Sequence, residues 1–140
     1  AVISGRFYVA GGHVSNSRAE LEVYDPGANT WTRLANMPTP RSTPGVAALN
    51  GKLYVVGGNR FASIRRTTEA FDPATGTWLA RADLNFAREA ASLIGFGGYL
   101  YAIGGDNPTG ELDTIERYDP EANTWTVLGI RCRNRMRKLP

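Results

Sequence analysis

Short apolar runs recur along the chain, and each pair of runs ends at two glycines. In the middle of the sequence, Val46-Ala-Ala-Leu49 and Leu53-Tyr-Val-Val56 flank Asn50-Gly51, and Gly57-Gly58 follows. Asn-Gly is a two-residue turn that joins antiparallel strands, because both residues tolerate positive φ. A strand that is covered on one face alternates apolar and polar residues, whereas both of these runs are almost wholly apolar. The pattern therefore predicts a hairpin whose two strands are covered on both faces.

This pattern occurs three times, with a period of about 47 residues. Each copy has a glutamate, an aromatic residue, an Asp-Pro pair and a tryptophan at matching positions. They are Glu22, Glu69 and Glu116; Tyr24, Phe71 and Tyr118; Asp25-Pro26, Asp72-Pro73 and Asp119-Pro120; and Trp31, Trp78 and Trp125. Each Asp-Pro pair predicts a turn that ends in an Asn or Gly at positive φ. A period of this length in a strand-rich sequence is typical of a propeller or a solenoid.

Each unit predicts four antiparallel strands, which we name a to d in chain order. In the middle unit they cover residues 46–49, 53–56, 67–71 and 77–80. The three units cover residues 1–34, 44–81 and 90–128. Residues 129–140 match no part of the unit, and we expect them to form a disordered basic tail. Ala1 already lies inside a repeat, so we expect the chain to be cut at its N-terminus.

These motifs together resemble kelch repeats. The resemblance rests on Tyr54-Val-Val-Gly-Gly58, Glu69-Ala-Phe-Asp-Pro73, the spaced tryptophans and Met37-Pro-Thr-Pro-Arg41, and it covers residues 1–128. It implies an all-β fold, a kelch-type β-propeller with three four-stranded antiparallel blades, strand a at the central axis and strand d outermost. Rings in this family usually have about six blades, so three blades imply an incomplete ring.

Charge and rare residues narrow the possible functions. The net charge is +3, but residues 129–140 contribute +5, so residues 1–128 carry −2 and lack the basic excess of a nucleic-acid-binding domain. The basic tail lacks the interleaved aromatics of a nucleic-acid arm. One histidine and one cysteine, His13 and Cys132, cannot build a His/Cys metal site. The longest apolar runs are too short to cross a membrane, and nothing in the sequence predicts a cofactor.

Residues that recur in every unit are predicted to be structural. The double glycines allow close approach of neighbouring backbones, and the aromatic residues and tryptophans are expected to pack between blades. We expect Trp78, whose blade has two neighbours, to contribute more stability than Trp125. The recurring glutamates are expected to be buried and charge-paired, with Arg41 and Arg88 as candidate partners.

The loops between strands b and c do not recur. In an antiparallel blade these loops and the d-to-a linkers lie at the same end, and binding residues concentrate on such loops. The predicted partner-binding residues are the cationic side chains at this end: His13, Arg18, Arg41, Arg60, Arg65, Arg66 and Arg88. Arginine forks bind carboxylates and phosphates at two points, so an acidic or phosphorylated peptide is the expected ligand. The alternative is that Glu69 and Glu116 occupy Arg41 and Arg88.

The predicted function is a non-enzymatic protein-interaction module without catalytic residues. The resemblance implies a recognition scaffold, such as the substrate-recruiting part of a ubiquitin-ligase adaptor. The alternative is a fragment of a kelch-type sugar isomerase, mutarotase or other carbohydrate-active propeller, which could use Arg and Glu alone. Copper oxidases with such propellers need several histidines, and His13 alone cannot serve. The open flanks of a three-blade stack also predict self-association.

Overall fold

The computed structural model describes residues 1–13 and 15–131, which contain three four-stranded antiparallel sheets and two short ribbons. The first sheet consists of β1 (Val2–Ile3), β2 (Arg6–Ala10), β3 (Leu21–Asp25) and β4 (Thr30–Arg33). The second consists of β5 (Gly45–Leu49), β6 (Lys52–Val56), β9 (Thr68–Asp72) and β10 (Thr77–Arg81). The third consists of β11 (Ser92–Phe96), β12 (Tyr99–Ile103), β15 (Thr114–Asp119) and β16 (Thr124–Arg131). The ribbons pair β7 (Asn59–Arg60) with β8 (Ser63–Ile64), and β13 (Asp106–Asn107) with β14 (Gly110–Glu111).

In every sheet the strands lie in chain order, which confirms the predicted blades of strands a to d. The third blade extends further than expected, because β16 continues to Arg131. Its register shifts between Thr114 and Glu116, and this bulge lets Arg131 pair with Thr114. The predicted tail therefore begins inside a strand at residues 129–131. Its remainder, residues 132–140, lies outside the described residues.

The blades stack face to face through two apolar clusters. The cluster between the first two blades contains Ile3, Tyr8, Leu21, Val23, Met37, Leu53, Val55 and Phe71. The cluster between the second and third blades contains Ala47, Leu49, Tyr54, Val56, Ala70, Leu84, Leu100, Ala102, Tyr118 and Trp125. The middle blade thus contributes both of its faces to the core, which explains why its strands a and b are almost wholly apolar.

The tryptophans show the direction in which each blade packs. Trp125 is only 8% exposed, and its Nε1 donates to Ala82 O at 3.0 Å and to Thr68 Oγ1 at 3.1 Å in the second blade. Trp78 Nε1 donates to Ala35 O at 2.8 Å, just after the first blade. The expectation that Trp78 matters more than Trp125 is therefore wrong. Trp78 and Trp125 each pack against the preceding blade, whereas Trp31, in the first blade, is 59% exposed.

The turns follow the sequence signals. Asn50 and Gly51 both have positive φ, at 50° and 72°, as the predicted hairpin requires. In the first c-to-d turn, Asp25 Oδ1 accepts hydrogen bonds from Gly27 N at 2.9 Å and Ala28 N at 3.2 Å. The backbone N–H of Ala28 makes the largest contribution to a lowered pKa of the Asp25 carboxyl. The turn ends at Asn29 with a φ of 53°, as predicted.

The double glycines lie where the backbone of a linker comes close to the blade. A Cβ on Gly57, whose φ is +64°, would lie 2.3 Å from the backbone oxygen of Arg88. The amide of the next residue, Gly58, donates to that same oxygen at 2.9 Å. Gly11 faces the backbone oxygen of Arg41 in the following linker, and Gly105 faces that of Glu89 in the preceding linker, at 2.6 and 2.5 Å from a hypothetical Cβ. The predicted scaffold role is confirmed, because a side chain at these positions would separate linker and blade.

Gly57→Ala is therefore expected to destabilise the chain by about 2–5 kcal/mol, from positive φ and overpacking together. Gly76→Ala is the matched control, since Gly76 has a similar φ of +69° and no atom within 4 Å of a built Cβ. It should lose only about 1–2 kcal/mol of backbone strain. Urea titrations of both variants measure the difference, and equal losses would contradict the close linker contact.

Candidate binding face at the loop end

The b-to-c loops and the d-to-a linkers meet at one end of the blades, here called the loop end. Isolated bridges pair Arg18 with Arg41, and Ser42 with Asn59. Ser17 Oγ and Ser42 Oγ both donate to Asn59 O, at 3.0 and 3.2 Å. One linker thus joins the loop of the first blade to the loop of the second. This arrangement confirms the predicted placement of loops and linkers and gives the end a rigid base.

Arg41 lies inside this base. Its side chain is fully buried, and Nη1 donates to Gly57 O at 2.8 Å and to Thr67 O at 3.1 Å. Nη2 lies 2.9 Å from Glu69 Oε2 and forms an ion pair with it, although the two atoms do not form a hydrogen bond. Thr39 Oγ1 donates to the other oxygen of Glu69 at 2.7 Å. Burial lowers the pKa of Arg41 from its ordinary value, and Glu69 opposes that change.

Arg88 repeats the arrangement one blade later. Its Nη1 donates to Gly104 O at 2.8 Å and to Thr114 O at 3.2 Å, and its Nη2 donates to Glu116 Oε1 at 2.7 Å. The Arg88 and Glu116 side chains are both fully buried. Glu116 Oε2 also accepts from the backbone and side-chain nitrogens of Asn85, at 2.7 and 2.8 Å. Each carboxylate oxygen thus has a donor.

Burial corrects the expectation that Arg41 and Arg88 belong to the partner-binding set. Their guanidinium groups hold the linker to strands b and c, and a partner at the surface cannot contact them. The alternative pairing with Glu69 and Glu116 is the one observed. The physical reason is that buried charges require charged and hydrogen-bonding partners, which each of these pairs has.

Two other predicted residues lie in the loop of the first blade. His13 is exposed and bridges to Ser17 across the loop. Arg18 is exposed, but its Nη1 donates to Glu20 Oε1 at 3.1 Å. Arg33 Nη2 approaches the same oxygen at 3.4 Å. The charge of Arg18 is therefore partly balanced within its own blade.

The remaining three predicted residues, Arg60, Arg65 and Arg66, lie in the loop of the second blade. None of them makes an ion pair within residues 1–13 and 15–131. Arg65 Nε is buried without a hydrogen-bond partner there, although the side chain as a whole is half-buried. Arg66 is exposed. We call these three residues the basic loop, because their charges are not neutralised by neighbouring acids.

Phe61 belongs to the same surface, although sequence reasoning did not select it. It lies at the tip of the β7–β8 ribbon with 72% of its surface exposed, and the Arg60 guanidinium sits 5.0 Å from its ring centroid. Both tip residues, Phe61 and Ala62, have positive φ, at 51° and 61°. Bulky residues rarely adopt this conformation. The sequence signal that could have identified Phe61 is a phenylalanine in a loop that does not recur.

A groove lies at the opposite end of the second blade. It has a volume of about 450 Å³ and is lined by residues that include Lys52, Asp72, Arg81 and Glu121. Arg81 Nε donates to Tyr118 OH at 2.7 Å, and its Nη2 donates to Pro120 O at 2.8 Å. Since Arg81 is already engaged and the lining has mixed charge, the groove is a weaker anion site than the basic loop.

Residues 1–13 and 15–131 hold no group of three or more His, Cys, Asp and Glu side chains placed to bind a metal ion. That part of the chain also has no helix of the length and apolarity needed to span a bilayer.

Comparisons with known proteins agree on the repeat. An F-box/kelch-repeat protein of Arabidopsis thaliana is 44% identical over 59 residues, which are 41% of this chain and 16% of that protein. Kelch-like ECH-associated protein 1A of Danio rerio is 44% identical over 50 residues, 36% of this chain and 8% of that protein. The solved structure of YjhT superposes with a TM-score of 0.79 at 21% identity, over 92% of this chain and 50% of that one.

These relatives are much longer than the matched segments, so their identities describe repeats and not whole proteins. The likeness to YjhT shows the propeller fold. The kelch motif itself matches residues 1–38, 40–85 and 87–129, one copy for each blade. Because this motif matches nearly the whole of the three blades, the chain belongs to the kelch-repeat family.

Proposed function

We propose that the chain is a non-enzymatic protein-interaction module whose basic loop binds an acidic or phosphorylated peptide segment of a partner protein. The observation that carries the proposal is the contrast between the arginines. Arg41 and Arg88 are buried in ion pairs, whereas Arg60, Arg65 and Arg66 have no acidic partner in the described residues. Cations left unpaired on a rigid base are available to a ligand.

The chemistry of the loop favours a peptide with carboxylates or phosphates. Guanidinium groups present parallel N–H donors that match two oxygens at once. Phe61 adds an exposed apolar ring beside Arg60, so an apolar residue next to the acidic group would also be contacted. Residues 1–128 carry a net charge of −2, so the attraction is local to this face.

The relatives support an interaction role. Their names place kelch repeats beside an F-box in one protein and in an ECH-associated protein in the other. For this chain we infer an adaptor-like role, comparable to the substrate-recruiting part of a ubiquitin-ligase adaptor, in which the loop end holds the recruited protein.

Reversal of two charges tests the proposal. Arg65→Glu combined with Arg66→Glu is expected to weaken binding of an acidic partner peptide by more than about tenfold and to reduce its salt dependence. Both effects follow because Arg65, which is half-buried, and Arg66, which is exposed, attract the peptide electrostatically. Titration calorimetry at two salt concentrations measures them, after a peptide has been selected from an array of acidic and phosphorylated sequences.

The matched control reverses Arg6 and Lys52, two exposed cations near the a-to-b turns at the other end of the blades. This variant carries the same change in net charge but leaves the basic loop intact. Its affinity for the acidic peptide should therefore remain close to that of the unaltered chain. Equal weakening by both variants would point to long-range attraction alone, and an unchanged dissociation constant for the Arg65 and Arg66 variant would refute the basic-loop proposal.

A carbohydrate-active propeller is the second candidate function. The Arg–Glu pairs that could perform such chemistry, Arg41 with Glu69 and Arg88 with Glu116, are buried in the scaffold, and this favours the interaction module. Polarimetry of freshly dissolved sugars, with and without the chain, separates the two functions. An accelerated approach to the anomeric equilibrium would favour the enzyme.

A further inference from the structure

The tip of the basic loop carries a serine hydroxyl between arginines. Residues 59–66 read Asn-Arg-Phe-Ala-Ser-Ile-Arg-Arg, with three arginines and no aspartate or glutamate. Ser63 follows Arg60 by three residues and lies in β8, where it is exposed. An exposed hydroxyl in so basic a segment is a place where a covalent modification would change the charge of the loop.

The β7–β8 ribbon places Ser63 directly opposite Arg60. The two residues are paired across the ribbon, and Phe61 and Ala62 form the two-residue turn between them. Positive φ at both turn residues is the conformation of a tight hairpin turn. Side chains at opposed positions lie on the same face, with Cβ atoms about 4.5–5.5 Å apart. A group attached to Ser63 Oγ would therefore lie within reach of the Arg60 guanidinium.

Other hydroxyl groups close to the basic loop are less accessible. Ser17 and Ser42 are half-buried, and their Oγ atoms donate to Asn59 O at 3.0 and 3.2 Å. Thr67 Oγ1, just after the basic loop, is buried. Ser63 differs from these three residues, because it is exposed and has an arginine opposite it on the same ribbon.

The ribbon is small enough to open for an enzyme. Strands β7 and β8 contain two residues each, and the following residue, Arg65, is anchored to the base of the loop by its amide, which donates to Gly58 O at 2.8 Å. So short a ribbon contributes little stability by itself, so residues 60–64 can open without unfolding the blade. A kinase cleft lined by acidic side chains would select the arginines on both sides of Ser63.

We propose that Ser63 accepts a phosphate from a protein kinase that selects basic sequences, and that this phosphate blocks the basic loop, a regulation that rests on the function proposed above. In this step Ser63 Oγ bonds to the γ-phosphorus of ATP, and the bond from that phosphorus to the oxygen shared with the β-phosphate breaks. The products are phosphoserine, ADP and the proton that leaves the hydroxyl group.

The phosphate occupies the cations that a partner needs. A phosphoserine carries a charge of about −1.5 to −2 at pH 7 and accepts charge-assisted hydrogen bonds through three oxygens. The three arginines of the basic loop carry +3, so phosphorylation reduces the charge of residues 59–66 to about +1. The bond from the phosphate to Arg60 is intramolecular, so it competes with a partner at a high effective concentration. The modified loop therefore repels the acidic group that the unmodified loop attracts.

Phosphoserine introduced at position 63 during translation tests the effect on binding. Titration calorimetry with the selected acidic peptide is expected to give a dissociation constant more than about tenfold above that of the unmodified chain. Phosphoserine in place of Ser4, an exposed residue at the a-to-b turn of the first blade, is the matched control and should change it less than about twofold. Equal affinities of the unmodified chain and the chain phosphorylated at Ser63, or equal weakening by both phosphoserines, would overturn the inference and leave the peptide-binding function standing.

A kinase assay tests the acceptor without the peptide. The folded chain is incubated with ATP and a kinase that prefers arginine three residues before the acceptor, and mass spectrometry locates the phosphate. We expect it on Ser63, and we expect no phosphate in this loop of the Ser63→Ala variant. Phosphorylation only at other positions, or none while a free peptide of residues 58–68 is phosphorylated, would overturn the assignment of Ser63.

A ³¹P NMR pH titration of the chain phosphorylated at Ser63 tests the contact with Arg60. The second pKa of the phosphate is expected to be lower in this chain than in its Arg60→Gln variant, because the guanidinium stabilises the dianion. Equal pKa values would overturn the contact. Absence of peptide binding by both the unmodified and the phosphorylated chain would instead refute the proposed function, and the kinase assay and the titration would still decide the modification.

Discussion

Arg88→Ala is expected to lower the free energy of unfolding by about 3–5 kcal/mol, because it leaves the Glu116 carboxylate charged and buried without its guanidinium. Both side chains of the pair are fully buried, 2.7 Å apart. The lost guanidinium also leaves Gly104 O and Thr114 O without this donor. Equilibrium unfolding in urea measures the loss, with the slope of the transition as a check on two-state behaviour.

Arg6→Ala is the matched control for this change. Arg6 pairs with Asp25 at 3.1 Å, but the Arg6 side chain is more than half exposed, so its removal should cost less than about 1 kcal/mol. The double variant Arg88→Met with Glu116→Leu should recover much of the lost stability, because an apolar pair of similar volume avoids the buried charge. Similar losses for Arg88→Ala and Arg6→Ala would contradict a buried structural role for Arg88.

The second large loss of stability is expected when a buried tryptophan is removed. Trp125→Ala is expected to cost about 3–5 kcal/mol, because the side chain is buried between blades and its removal leaves a cavity. Trp31→Ala, at the same repeat position, is expected to cost less than about 1 kcal/mol at concentrations where the chain is monomeric. Their exposed fractions of 8% and 59% account for the difference. Trp78→Ala should fall between them.

Urea titrations of the three variants, at micromolar concentrations and below, give this order directly. Equal losses for Trp125 and Trp31 in the monomer would contradict packing of each blade against the preceding one.

Much of the architecture follows from the sequence because the signals are repeated. The Asn50-Gly51 turn, the apolar strands of the middle blade and the pairing of Arg41 with Glu69 all follow from residue types at constant spacing. Repetition separates structural residues from the rest, since every blade needs the same contacts. The fold could therefore be predicted without coordinates, whereas the Arg–Glu pairing could be stated only as the alternative to partner binding by Arg41 and Arg88.

Other features depend on geometry that the spacing of the repeats does not determine. Which tryptophan is buried depends on the direction of stacking, and the spacing of Trp31 and Trp125 is the same in either direction. The extension of β16 to Arg131 depends on a bulge at Thr114. The sequence predicts seven partner-binding residues at the loop end. Whether Arg41 and Arg88 are buried, however, could be decided only from the positions of strands b and c.

The consequence for function is a division between two sets of arginines. Arg41 and Arg88 hold the linkers to strands b and c, at the base of the b-to-c loops. Arg60, Arg65 and Arg66 occur once, in the loop of the second blade, and carry the proposed interaction. A rigid base with a non-recurring basic loop is a suitable surface for recognition of an asymmetric partner.

The central claim is that the basic loop is the partner-binding surface. Amide chemical-shift mapping with ¹⁵N-labelled chain and the selected acidic peptide tests it most directly. The account predicts that the largest shifts fall on residues 59–66 and on the adjacent Ser42. Shifts concentrated at the opposite end of the blades, around Lys52, Thr75 and Glu121, would contradict it.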